Sequence, residues 1–165
     1  MIDFFMKHRT KLRRIAYALV AFAIVYSYFG NPEIRANREG FKDRIKMVKT
    51  DTMILEAVTP FAWDTMYSFR SDTDRDTIVE VIGIPEAKVQ TDSSADKIRL
   101  VFVYKDKVVC DICEHPSDVG YDIIFGEDVP TGNSGEYSYY KINYGSAIRF
   151  QVEHEGDMVI LNGTK

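Results

Sequence analysis

A length of 165 residues sets an expectation of one domain, and 45% apolar residues with ten Tyr, ten Phe and one Trp supply a core that excludes a disordered chain. The formal net charge of −4 is unevenly spread: residues 1–30 carry +4, residues 31–50 carry +3 and residues 51–165 carry −11. So acidic a body repels nucleic acid and anionic lipid, and suits a basic protein or a cation better, although solubility alone also accounts for it.

In chain order, five basic residues (Lys7, Arg9, Lys11, Arg13, Arg14) lead into residues 15–29, IAYALVAFAIVYSYF, fifteen residues without a charge. As a helix the run spans roughly 22 Å, short of the roughly 30 Å of bilayer hydrocarbon. Arg13 and Arg14 can snorkel at one end, and Tyr26, Tyr28 and Phe29 can sit at the interface at the other. Residues 15–30 are therefore read as an uncleaved transmembrane anchor. The rival readings are a cleaved signal peptide, which lacks a small-x-small site after the run, and a buried soluble helix. The basic tail at 1–14 favours a cytoplasmic N-terminus with the rest of the chain outside the cytoplasm, and the six basic residues within 31–50 weaken that orientation. No Cys follows the run closely, which excludes a lipoprotein anchor.

Residues 31–50 read as a juxtamembrane amphipathic helix, with Ile34, Phe41, Ile45 and Val48 at helical spacing. It would lie on headgroups or pack on its own domain, and packing is the favoured reading. Residues 51–165 then form the globular domain. Trp63, Thr65, Tyr67 and Phe69 alternate onto one face of a first strand. A helix over 73–83 follows, opened by a capping box of Thr73 and Asp76 and closed by Gly83 and Pro85, with Ile78, Val81 and Ile82 as its buried stripe.

Residues 96–113 read as a β-hairpin turning at Lys105-Asp106-Lys107. Ile98, Leu100, Phe102 and Tyr104 share a face of one arm, and Val108, Cys110 and Ile112 a face of the other. A short strand at 121–125, a turn-rich loop at 126–135 (GEDVPTGNSG) and strands at 137–144, 147–154 and 158–161 complete the chain. On the strand at 147–154, Ile148, Phe150 and Val152 point in, and Arg149, Gln151 and Glu153 out. The fold class is α+β: a transmembrane helix, then an antiparallel sheet of five or six strands with one or two helices packed on one face.

No motif carries recognisable catalysis. Cys110-Asp111-Ile112-Cys113 is a CxxC, the spacing of a redox pair or half a zinc site. On a strand, however, the two Cα atoms stand about 10 Å apart with side chains on opposite faces, beyond the roughly 7 Å that a disulfide permits. The pair is read as two free thiols, with no metal or other cofactor expected. Asp72, Asp74 and Asp76 imitate the start of a calcium loop, but Thr77 and Gly83 stand where Gly and Glu are needed, so they mark a helix start. His115 and His154 are the only histidines after the anchor, and no GxSxG occurs. The chain is read as a non-enzyme. Tyr137, Tyr139, Arg149, Gln151 and Glu153 are the candidate partner-binding residues, since Tyr and Arg dominate binding hot spots.

Phe61-x-Trp63-Asp64-x-x-Tyr67-x-Phe69, the helix ending Ile82-Gly83-Ile84-Pro85 and the strand Leu100-Val101-Phe102-Val103-Tyr104 together resemble a group of small, uncharacterised membrane-anchored bacterial proteins with a WDxxYxF strand, a helix and a hairpin. Arg70-Ser71 replaces the Pro-Tyr of that group. The helix, Gly-x-Pro and hairpin also resemble small outer-membrane assembly lipoproteins, without the lipobox Cys. The layout and acidity are similar to those of membrane-anchored toxin-immunity proteins. The last likeness implies an extracytoplasmic interaction module in the form of an immunity or inhibitor protein, and the acidity of residues 51–165 points to a basic partner. The alternatives are an envelope-assembly or scaffold subunit, and a hydrolase whose acids meet His115 or His154 in a cleft.

Overall fold

The computed structural model describes residues 11, 13–20, 31–92, 94–126, 129–134 and 137–164, the side chains of Tyr137 and Thr164 excepted. The chain divides into two compact units, one ending at Pro32 and one beginning at Glu33. In the first, residues 13–20 are helical. The remainder of the expected anchor, from 21 to 30, lies outside the described residues, and among those described no helix is long and apolar enough to cross a membrane.

The second unit is α+β. Helix α1 (Pro32–Lys46) leads to strand β1 (Thr52–Ile54), a 3-10 turn (Leu55–Ala57), β2 (Thr65–Phe69), helix α2 (Arg75–Ile82) and the hairpin β3 (Ile98–Tyr104) and β4 (Lys107–Glu114). A one-turn helix α3 (Pro116–Val119) then precedes β5 (Tyr121–Ile124), β6 (Thr131–Ser134), β7 (Tyr137–Asn143), β8 (Arg149–Glu155) and β9 (Met158–Thr164). The expected single sheet is instead two. A five-stranded antiparallel sheet runs β4-β3-β2-β7-β6, and a four-stranded one runs β1-β8-β9-β5 with β5 parallel to β9. Strand β1, too short to read from sequence, is the edge that extends the smaller sheet.

The inner faces of both sheets meet in one core. Met66, Leu100, Phe102, Ile112 and Ile142 from the larger sheet join Met53, Tyr121, Phe150, Val159 and Leu161 from the smaller. Helix α1 completes it. Phe41 and Ile45 are 0% exposed, and the Phe41 ring meets Phe102 at 5.4 Å and Tyr121 at 5.8 Å, touching both sheets at once. Burying each such side chain contributes about 1.5–3 kcal/mol. The helix therefore packs on its own domain, the favoured of its two readings, and its apolar stripe is spent on the core. Its polar side chains also guard the sheet: Asn37 Nδ2 donates to Val109 O at 2.8 Å and Arg38 Nε donates to Asp111 O at 2.9 Å, covering carbonyls of edge strand β4.

The opposite face of the larger sheet is covered too. Tyr67, Phe69 and Val101 pack against Ile78 and Ile82 of α2 and against Ala87 and Val89 of the segment behind it. Helix α2 starts later than read: Asp74 is the N-cap, accepting from Thr77 N at 2.9 Å, and Thr73 is a buried residue before it. Asp outcompetes Thr as a cap because its carboxylate also opposes the helix dipole. Gly83 closes the helix as expected, at φ 72° where a Cβ would be strained.

The hairpin matches the reading on β3, where Ile98, Leu100, Phe102 and Tyr104 all face the core. On β4 it differs. The pairs Phe102↔Cys110 and Val103↔Val108 leave Val109 as an extra residue, a bulge that puts Val109 and Cys110 in the core and swings Val108 to the α2 side. Trp63 also departs from its expected face. It lies before β2, where the chain turns inward, and its ring meets Phe102 at 5.6 Å in the main core while Tyr67 and Phe69 face α2.

Candidate functional site

The five residues expected to bind a partner separate into two groups. Tyr137 and Tyr139 lie on β7 of the larger sheet, and Arg149, Gln151 and Glu153 lie on β8 of the smaller one. A single sheet would carry all five, and the division into two sheets separates them. The Tyr139 ring is half-buried. It lies across Gly132 of β6, where an added Cβ would come within 2.3 Å of it, and meets Phe69 at 5.9 Å and Tyr67 at 6.1 Å. This ring shelters a glycine in an edge strand and extends the α2-side core. The Tyr137 side chain falls outside the described residues.

Arg149, Gln151 and Glu153 do share an exposed face. It is the outer face of the smaller sheet, and the strand register gives its other members. Ile54 pairs with Arg149, Thr52 with Gln151, Asn162 with Gln151, Ile160 with Glu153 and Met158 with Glu155. Asp122 pairs with Ile160 and Ile124 with Asn162. Ile124 is 50% exposed and Ile54 39%. Met158 and Ile160 are half-buried yet belong to neither core cluster. Sequence reasoning missed these apolar members, although residues 158–161, MVIL, are an unbroken apolar run. Such a run marks a strand buried on both faces, and here only the inner side, Val159 and Leu161, is covered by the core.

A second polar feature is a groove of about 550 Å³ between residues 72–75 and Thr91 and Asp92. Its charges are already engaged. Arg70 Nη2 donates to Asp72 at 2.8 Å, Asp74 caps α2, Arg75 Nη2 donates to Ala87 O at 2.8 Å and Lys97 is hydrogen-bonded to Asp92. The Lys97 bond, with help from Ser94, holds the Asp92 carboxyl well below the usual carboxylate range. Among the described residues no group of His, Cys, Asp or Glu is arranged to hold a metal ion. Neither His115, at the N-cap of α3, nor His154, on β8, lines the groove.

Gln90, the residue before Thr91 of the groove, joins a buried ion pair. Arg99 Nη1 donates to Asp111 Oδ1 at 3.0 Å, each side chain being no more than 2% exposed. Gln90 N donates to Asp111 Oδ2 at 2.6 Å and Gln90 O accepts from Arg99. Burial pushes the Asp111 carboxyl up, against the pull of Arg99 and of the Gln90 N–H. The pair ties the segment after α2 to strands β3 and β4. Cys110 and Cys113 are free and buried on β4, as its extended geometry requires. Burial raises the Cys110 thiol to about 12.

No protein-family model, curated protein or solved structure matches the chain.

Proposed function

We propose that the chain is a membrane-anchored, extracytoplasmic interaction module that binds a basic protein partner and performs no catalysis itself. The observation that carries this reading is the outer face of the smaller sheet, where exposed Ile124 and half-buried Met158 and Ile160 lie among Asp122, Glu153 and Glu155, and exposed Ile54 lies beside Arg149, with no further layer of the described domain on top. Monomeric surfaces seldom leave apolar residues so grouped unless something docks there. The net −11 of residues 51–165 favours a basic partner and a salt-sensitive association. An immunity or inhibitor protein is the form that combines an anchor, an acidic body and an open binding face. The basic 1–14 tail and the apolar 15–30 segment support the anchor and its orientation.

The test is capture by the full-length chain from detergent-solubilised native envelopes and culture supernatant, at low and at high salt. A basic protein retained at low salt and released at high salt is expected. Capture of nothing at either salt overturns the reading.

A further inference from the structure

The outer face of the smaller sheet has a layout finer than general acidity. The register places Met158 and Ile160 in a row along β9. On the β8 side of that row stand Glu155 and Glu153, and on the β5 side stands Asp122, level with Ile160. Met158 and Ile160 thus stand between Glu153 and Glu155 on one side and Asp122 on the other, with exposed Ile124 one step beyond Asp122 on the same face of β5 and Ile54 apart from them beside Arg149. Glu153 Oε1 also accepts from Asn162 Nδ2 at 2.9 Å.

The dimensions limit the occupant. Strands β8 and β9 run seven residues but β5 only four and β1 three, so at about 4.8 Å spacing and about 3.3 Å rise the face stays within roughly 14 by 20 Å and below about 300 Å². A stable dimer needs about 800 Å² from each partner. A second copy would also bring these carboxylates against their own kind. One α-helix about 10 Å in diameter and four turns long covers the face, and a helix laid on a sheet is the usual way of burying it.

We propose, on the strength of the interaction reading above, that this face docks a single amphipathic helix of the partner, with an apolar stripe seated on Met158 and Ile160 and Lys or Arg side chains on both flanks meeting Glu153, Glu155 and Asp122. This helix supplies the missing outer layer of the smaller sheet, as α2 does for the larger.

The test uses the full-length chain in nanodiscs of neutral phosphatidylcholine and a stapled 15-residue helix with Leu along one face and Lys on its flanks. Binding is read by fluorescence anisotropy, with empty nanodiscs subtracted. Saturable binding is expected, weakened about tenfold or more by Ile160→Ser, by Glu153→Lys with Glu155→Lys, and by high salt, while thermal melts show each variant folded. Equal binding by both variants, equal binding of the same helix with Glu flanks, or no binding above empty nanodiscs overturns the proposal. A doubling of mass with concentration that Ile160→Ser abolishes assigns the face to a second copy and overturns it as well. If the native basic partner is captured equally by wild type and by Ile160→Ser, the helix-docking face is wrong and the interaction reading stands.

Discussion

The Tyr121 hydroxyl is a buried polar atom with no hydrogen-bond partner among the described residues, set in a core where its ring meets Phe41. An unpaired buried hydroxyl costs about 1–3 kcal/mol. Tyr121→Phe should therefore leave stability unchanged or raise it by about 1 kcal/mol, read as the urea midpoint. A clear loss would reveal a hydrogen bond at that atom. Arg99 behaves in the opposite way. Arg99→Leu strands the Asp111 carboxylate inside the protein and should cost about 3–5 kcal/mol near neutral pH. The effect depends on pH. Burial raises the native Asp111 carboxyl above its unfolded value of about 3.9. The native state then holds its proton more tightly than the unfolded chain, so this contribution is complete below the unfolded value and lost as pH rises through the native one. Without Arg99 the native value climbs further. The stability gap between wild type and Arg99→Leu should thus widen as pH rises through and above the wild-type native value, and a gap constant across the whole range from acid to alkaline pH would show that Asp111 is not the group responsible.

At the scale of elements, the β3–β4 turn is built from two residues in the left-handed region, Lys105 at φ 47° and Asp106 at φ 59°. Those angles define the type I′ turn whose preferred residues are Asn-Gly. Replacing Lys105→Asn with Asp106→Gly should stabilise the hairpin by about 1 kcal/mol, checked by a raised melting temperature, because the Lys105 N–H bond to Asp64 is a backbone donation that survives the change. The hairpin and α2 were legible because their signals are local: alternation on β3, an apolar stripe at Ile78 and Ile82, and Gly83 at the helix end. Strand β6 was not. Its residues Thr131-Gly132-Asn133-Ser134 have turn composition, and they become a strand only because β7 pairs with them and the Tyr139 ring covers Gly132. The Val109 bulge was equally hidden, since nothing in a run of apolar residues marks where the register slips.

At the scale of the molecule, the boundary drawn at residue 51 falls through the core. A chain of residues 51–165 would lack Phe41 and Ile45, uncover Phe102 and Tyr121, and leave the β4 edge without Asn37 and Arg38. Removing two large core side chains and opening an edge strand is more than a domain of this size tolerates. Residues 33–165 should melt cooperatively as a monomer, and residues 51–165 should aggregate on size-exclusion chromatography. A stable monomer of 51–165 would refute the structural role given to α1.

By itself, the sequence determined the class of the domain, the position of α2, the β3–β4 hairpin and the free state of Cys110 and Cys113, since each follows from the spacing of a few neighbouring residues. It also determined that residues 51–165 are acidic. Only the tertiary structure decided that the strands part into two sheets, that Phe41 of α1 touches both of them at once, and that Tyr139 turns away from Arg149, Gln151 and Glu153. Those outcomes depend on which strand pairs with which across many intervening residues. Alternation says only that a side chain has a buried and an exposed side to choose between, and the partner strand fixes which surface that side becomes part of.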